Sequence, residues 1–193
     1  MRCTVICFLA IITLLSPAQA QGPVYSIKPE QSTIQFSVKA SVPLSGTFDK
    51  WDATLTFPST NATTGSLDIK IQAASVSTGN PFKDDRLKSK DFFNASEDPF
   101  ITFKSNKVVQ KSSNTFDVQG IFTIRGVSRQ ETLHLAVTGK GTGAGSIKGS
   151  MAFERKEYGM DSGIPFIRIA DRIEVSLDLI WNRVSGPSLV FKE

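Results

Sequence analysis

Apolar and polar residues alternate along most of this chain with a period of two. Ile34, Phe36 and Val38 alternate with Thr33, Gln35 and Ser37, and Leu67, Ile69 and Ile71 with Asp68 and Lys70. Leu133, Leu135 and Val137 alternate with His134 and Ala136, and Ile173, Val175, Leu177 and Leu179 with Glu174, Ser176 and Asp178. Phe116, Val118, Phe122 and Ile124 keep one parity across Gly120, as Ile147, Met151 and Phe153 do across Gly149. Successive side chains on a strand point to opposite faces, so this pattern predicts strands with one dry and one wet face. Such strands pair antiparallel, because parallel sheets are usually covered on both faces.

Turn signals separate the strands: the polar stretch Pro58 to Gly65, the connection Lys111 to Asn114, and a glycine-rich hairpin tip from Gly139 to Gly145. The spacing predicts about eight long strands between residues 32 and 181, with a short opening strand at Val24–Ile27. One excursion interrupts them. Asn80 to Phe93 reads as a short helix that Pro81 can open, with Asp84 and Asp85 near its positive end, and Asp98-Pro99 closes it. Eight one-sided antiparallel strands bury their apolar faces either as a two-sheet sandwich or as a closed barrel. Periodicity does not choose between them. A barrel of this size has an interior just wide enough for side chains or one small ligand.

The first twenty residues add a destination. Arg2 is followed by an apolar run from Val5 to Leu15, a break at Ser16-Pro17, and Ala18-Gln19-Ala20 as a cleavage site. This is the layout of a secretory signal peptide, and the run is shorter than the ~20 residues a membrane span needs. Residues 1–20 are expected to be removed, leaving a single domain over residues 21–193 that is periplasmic or secreted. Cys3 and Cys7 lie in the leader, so the remainder has no disulfide, thiolate metal site or cysteine nucleophile. The sequons at Asn61 and Asn94 matter only where exported proteins are glycosylated.

Composition excludes several functions. A net charge of +4, with both signs interspersed, leaves no nucleic-acid footprint. The lone histidine, His134, sits on the wet parity, and no His/Cys pair suggests a metal. No Gly-x-Ser-x-Gly elbow is present. Gly139 to Gly145 lacks the Lys-Ser/Thr ending and following helix of a phosphate loop. The adjacent pairs Asp84/Asp85 and Glu97/Asp98 diverge rather than converge as an acid/base couple. The expectation is a protein that is not an enzyme and has no cofactor. Phenylalanine is the loudest signal, with 14 against 2 tyrosines, and many sit on the inward parity.

Two segments carry a family likeness. Thr78…Lys83-Asp84-Asp85-Arg86-Leu87…Asp91-Phe92-Phe93…Pro99-Phe100-Ile101-Thr102-Phe103-Lys104-Ser105 and Gly120-Ile121-Phe122-Thr123-Ile124-Arg125-Gly126-Val127 resemble the YceI-like family of exported lipid-binding proteins. Pro29 with Ser32 and Phe36, Gly46 with Phe48, and Phe153-Glu154-Arg155…Tyr158-Gly159-Met160 agree in order. The resemblance implies an all-β, lipocalin-like antiparallel eight-stranded barrel, one short helical segment near residues 81–93, and an elongated apolar tunnel for a long-chain polyisoprenoid or similar amphiphile. Its histidines do not carry over, since the corresponding positions read Gln31, Ala40 and Arg86.

With that fold, the parity assigns an inner wall: Phe36 and Val38; Leu55 and Phe57; Leu67, Ile69 and Ile71; Phe103; Phe116, Val118, Phe122 and Ile124; Leu135 and Val137; Met151 and Phe153; Val175 and Leu177. Leu87, Phe92 and Phe93 become a lid over one mouth. Arg125, Arg129, Arg155, Arg168 and Arg172 fall near strand ends, where one could meet an acidic head group. Gly120 and Gly149 are expected to leave room on the inward face. The expected partner is a long-chain isoprenoid or other lipid, with transient membrane contact. The competing expectation is a barrel with a filled core that acts through its surface.

Overall fold

The structure is a computed structural model that describes residues 22–41, 44–163 and 168–191. The leader assigned to residues 1–20 lies outside the described residues. Among the described residues eleven strands follow one another: β1 (Val24–Ile27), β2 (Thr33–Ala40), β3 (Leu44–Phe48), β4 (Trp51–Thr56), β5 (Ser66–Gln72), β6 (Val76–Ser77), β7 (Phe100–Gln110), β8 (Thr115–Ile124), β9 (Val127–Val137), β10 (Ala144–Glu154) and β11 (Ile169–Ser185). A single helix, α1 (Pro81–Lys88), separates β6 from β7. Eight strands have six residues or more. The additional ones, β1, β3 and β6, have two to five, too few for alternation to announce β3 and β6.

All eleven belong to one sheet, in the order β4-β5-β7-β8-β9-β10-β11-β2-β3-β6, with β1 joined to β11. Every ladder is antiparallel, giving the lipocalin-like fold that the resemblance implied, with eleven strands where eight were expected. Asp49 N donates to Ser75 O (3.0 Å), extending the β3–β6 ladder, and Gln72 N to Lys50 O (2.9 Å), extending the β4–β5 ladder, so the chain through Asp49-Lys50 links the two ends of the order.

The 17-residue β11 organises the wall. Its first half pairs with β2 and its last residues with β1. Ser32 covers the change of partner: its hydroxyl accepts from Ile180 N (2.8 Å) and donates to Lys28 O (2.7 Å). A backbone N–H that would otherwise lose its ladder partner there is satisfied.

β8 and β9 join through a two-residue turn, Arg125-Gly126, with both φ angles positive (54° and 70°). This is the primed turn that matches the twist of a hairpin, and an arginine at its first position is uncommon. Arg125 is held there by its own guanidinium, which donates to Gly159 O and to Lys90 O (3.0 Å for the latter).

At the same end of the barrel, α1 forms as its sequence suggests. Asn80 caps it, accepting from Phe82 N (3.0 Å) and Lys83 N (3.3 Å), and Pro81 occupies the first turn. Asp84 ties the helix back to the chain before it, accepting from Thr78 N (2.7 Å) and Thr78 Oγ1 (2.6 Å). Leu87, Phe92 and Phe93 are buried in the core that the sheet encloses.

Candidate functional site

The inward parity of the strands encloses two apolar cavities, one at each end of the barrel. The first, of about 80 Å³, lies at the end bearing the Gly139–Gly145 tip. Of the sequence-predicted wall residues, Leu55, Phe57, Leu67, Phe116, Val118, Leu135 and Val137 line it. Tyr25 and Trp181 join them, packed edge to face at 5.2 Å. The second, of about 60 Å³, lies at the α1 end and is lined by Phe36, Val38, Ile71, Phe122, Ile124, Phe153 and Val175. Leu87, Phe92 and Phe93 close part of its wall, with Phe93 6.2 Å from Phe36 and 5.9 Å from Phe48.

Ile69, Phe103, Met151 and Leu177 line neither cavity. Strand by strand they occupy the level between the two. On β5, Ile69 lies between Leu67 and Ile71; on β8, Gly120 lies between Val118 and Phe122; on β11, Leu177 lies between Val175 and Trp181. Together they form a packed belt.

This overturns the expectation that Gly120 and Gly149 leave room. A Cβ at Gly120 would lie 2.8 Å from Phe103 Cζ and 2.5 Å from Lys104 O. One at Gly149 would lie 2.7 Å from Leu177 Cδ1 and 2.8 Å from Leu135 Cδ2. Each glycine is the gap into which a larger neighbour has moved. The elongated tunnel is therefore two chambers and a waist.

The arginines divide. Arg155 is buried and lines the second cavity, but each of its guanidinium nitrogens has a partner: Nη1 has Met160 O and Ser162 O (2.9 Å for the latter), Nε has Ala170 O (3.3 Å), and Nη2 has Asp171 (3.2 Å). Asp171 also meets Lys156 at 2.9 Å, and that hydrogen bond chiefly holds its carboxyl below the usual range. Arg129 donates to Glu157 O (2.9 Å) and lies over the Tyr158 ring. Arg125 serves the turn described above. Arg168 and Arg172 line neither cavity. None of the five offers a free guanidinium to either chamber.

Sequence reasoning passed over Tyr158, which is fully buried against Phe122 and Phe153 (5.5 and 5.2 Å) and donates to Glu131 Oε1 at 2.8 Å. Burial, together with that hydrogen bond to a carboxylate, raises its phenol far above the ordinary value. β9 and β10 pair only over four positions, Ile147 to Ser150 against Val137 to His134. Beyond them the turn after β10 brings Tyr158 against the inward face of β9. Glu131 and Arg129 share the parity of Leu133 and Leu135, the one local sign that a polar partner had to be found there.

His134 is largely exposed, as its parity predicts, and has a partner on the next strand: Nδ1 lies 2.7 Å from Asp117 Oδ1. Asp117 is opposite His134 in the ladder, a register that the sequence does not print. Among the described residues, no group of three or more His, Cys, Asp or Glu side chains is arranged to hold a metal ion.

Comparison with known proteins agrees with this architecture. A family model described as YceI-like domain matches residues 25–181. A UPF0312 protein of Pseudomonas aeruginosa is 29% identical over 161 residues, covering 78% of this chain and 84% of that protein. Protein YceI of Escherichia coli is 35% identical over 98 residues, 51% of each. Among solved structures, BcnA of Burkholderia cenocepacia superimposes with a TM-score of 0.73 at 25% identity, covering 80% of this chain and 99% of that one. A polyisoprenoid binding domain from Saccharophagus degradans, implicated in plant cell wall breakdown, superimposes with a TM-score of 0.66 at 16% identity, covering 86% and 99%.

Proposed function

The chain belongs to the YceI-like domain family, and from that footing we propose that it is an exported carrier of a long-chain polyisoprenoid or similar amphiphile. The observation that carries the reading is the pair of cavities stacked along one barrel interior, walled almost wholly by hydrocarbon. Each buried CH₂ contributes ~0.8 kcal/mol, so a chain of about fifteen gains ~12 kcal/mol before ordering costs. Such a guest needs little polar recognition. The polyisoprenoid-binding description of the Saccharophagus relative supports the same class of ligand. On this reading the protein binds rather than catalyses, and meets a membrane only to load and unload.

The waist favours a second reading, a filled barrel that acts through its surface. Each cavity has the volume of only a few waters, and a long guest must part Phe103, Leu177 and their neighbours to span both. Organic extraction of the purified protein followed by mass spectrometry separates the two. Carriage predicts a co-purified lipid, or saturable uptake of added isoprenoid. Absence of both leaves the filled barrel.

A further inference from the structure

The two chambers differ in the state of the one charged residue that lines each among the described residues: Arg155 in the second cavity, Lys140 in the first. Arg155 is neutralised by Asp171 and three carbonyls, so the second cavity presents no free charge. Lys140 is in the opposite condition. Its ammonium donates to Ser113 O and stands 4.8 Å over the Phe191 ring, both neutral partners. No carboxylate pairs with it among the described residues.

The surroundings present this cation at a mouth. Gly139 and Gly141 flank it with φ of 74° and 77°, a backbone that other residues rarely adopt, which fixes Lys140 at the hairpin tip. Gly141 and Thr142 line the same cavity and are exposed, so the cavity reaches the surface here. Across the opening runs the C-terminal segment, held to the 60–62 loop by Val190 N to Thr60 O (2.7 Å) and Ala62 N to Val190 O (3.2 Å). Ser188 of that segment lines the cavity and accepts from Arg183 Nη1 (3.1 Å). Arg183 likewise has no carboxylate partner among the described residues, so a second uncompensated cation lies one hydrogen bond behind the rim.

An apolar cavity whose rim, among the described residues, carries cations without carboxylate partners matches one kind of ligand: a hydrocarbon chain ending in an anion. We infer that the mouth of the first cavity takes an acidic head group, phosphate monoester or carboxylate, with Lys140 as its counter-ion and the chain directed into the barrel. The inference rests on the carrier reading and deepens it. It also moves the head group to the end opposite the arginines that the sequence suggested.

Isothermal titration of farnesol, farnesyl monophosphate and inorganic phosphate into the full chain, its Lys140→Met variant and its Lys140→Arg variant tests it. The expected result is about tenfold tighter binding of the phosphate than of the alcohol, the size of one charge-assisted hydrogen bond at a partly buried site. Lys140→Met should erase that preference, read as the ratio of the two lipids' affinities within the variant, and Lys140→Arg should keep most of it. The preference should also shrink as salt rises. Equal binding of the two lipids, or a preference that survives Lys140→Met, overturns the head-group assignment alone. Inorganic phosphate binding as tightly as the farnesyl ester makes the site one for free anions and overturns it too. If neither lipid binds, the carrier reading falls and the assignment falls with it.

Discussion

Removing the Phe103 ring tests whether the waist lies on the path of a guest. The ring is buried, lines neither chamber, and lies over the bare Cα of Gly120. Because Gly120 has no side chain to swing into the space, Phe103→Ala should leave an unrelieved cavity between the chambers. Changes of this type cost ~3–5 kcal/mol, and the rigid surroundings place this one toward the upper part of that range. Urea unfolding of the lipid-free protein reads the loss as a lower midpoint at unchanged slope. The carrier reading adds a second consequence. A chain crossing the opened waist buries about three more CH₂ groups, worth ~2.4 kcal/mol. Affinity for geranylgeraniol should therefore rise relative to geraniol, whose chain is too short to cross the waist, by about ten- to fiftyfold. Saturating geranylgeraniol should also restore part of the lost stability. An equal loss of stability with and without lipid, together with an unchanged ratio of the two affinities, would refute the reasoning and show the waist to be ordinary core.

Three further outcomes follow from particular contacts. Tyr158→Phe keeps the packing on Phe122 and Phe153 but loses the hydrogen bond to Glu131, and should cost about 1–2 kcal/mol at neutral pH in urea unfolding. Because folding raises the Tyr158 pKa, its contribution is whole below about pH 10 and lost as pH rises beyond it. The gap between wild type and variant should therefore narrow in alkali and stay constant from pH 6 to 9. Ser32→Ala strands Ile180 N where β11 changes partners, and should cost about 1–3 kcal/mol, with faster amide exchange at Ile180. Phe82 is 82% exposed on α1, so Phe82→Ala should change stability by less than ~0.5 kcal/mol. If α1 touches membrane during loading, the same change should slow transfer of bound lipid to vesicles, and an unaltered rate would exclude that role.

What the sequence determined by itself was the identity of each strand's dry face. Side-chain alternation is a property of the extended backbone and needs no knowledge of neighbours. That is why Phe36, Phe116, Phe122, Ile124, Leu135 and Phe153 could be assigned inward from parity alone, and why Asn80-Pro81 could be read as a helix start. Tertiary structure decided everything that depends on which residues meet across strands. Gly120 and Gly149 read as space because a missing side chain is visible in the sequence, whereas the neighbours that fill it, Phe103, Leu177 and Leu135, are set by ladder register. Register likewise places Asp117 beside His134. The folded-back turn after β10 buries Tyr158 and consumes Arg155, turning a candidate head-group ligand into a structural tie. Lys140 acquired its place only when residues 186–191 returned across the barrel mouth and brought Phe191 beneath it. No local pattern encodes that meeting, because the two segments come together only when the barrel between them has folded.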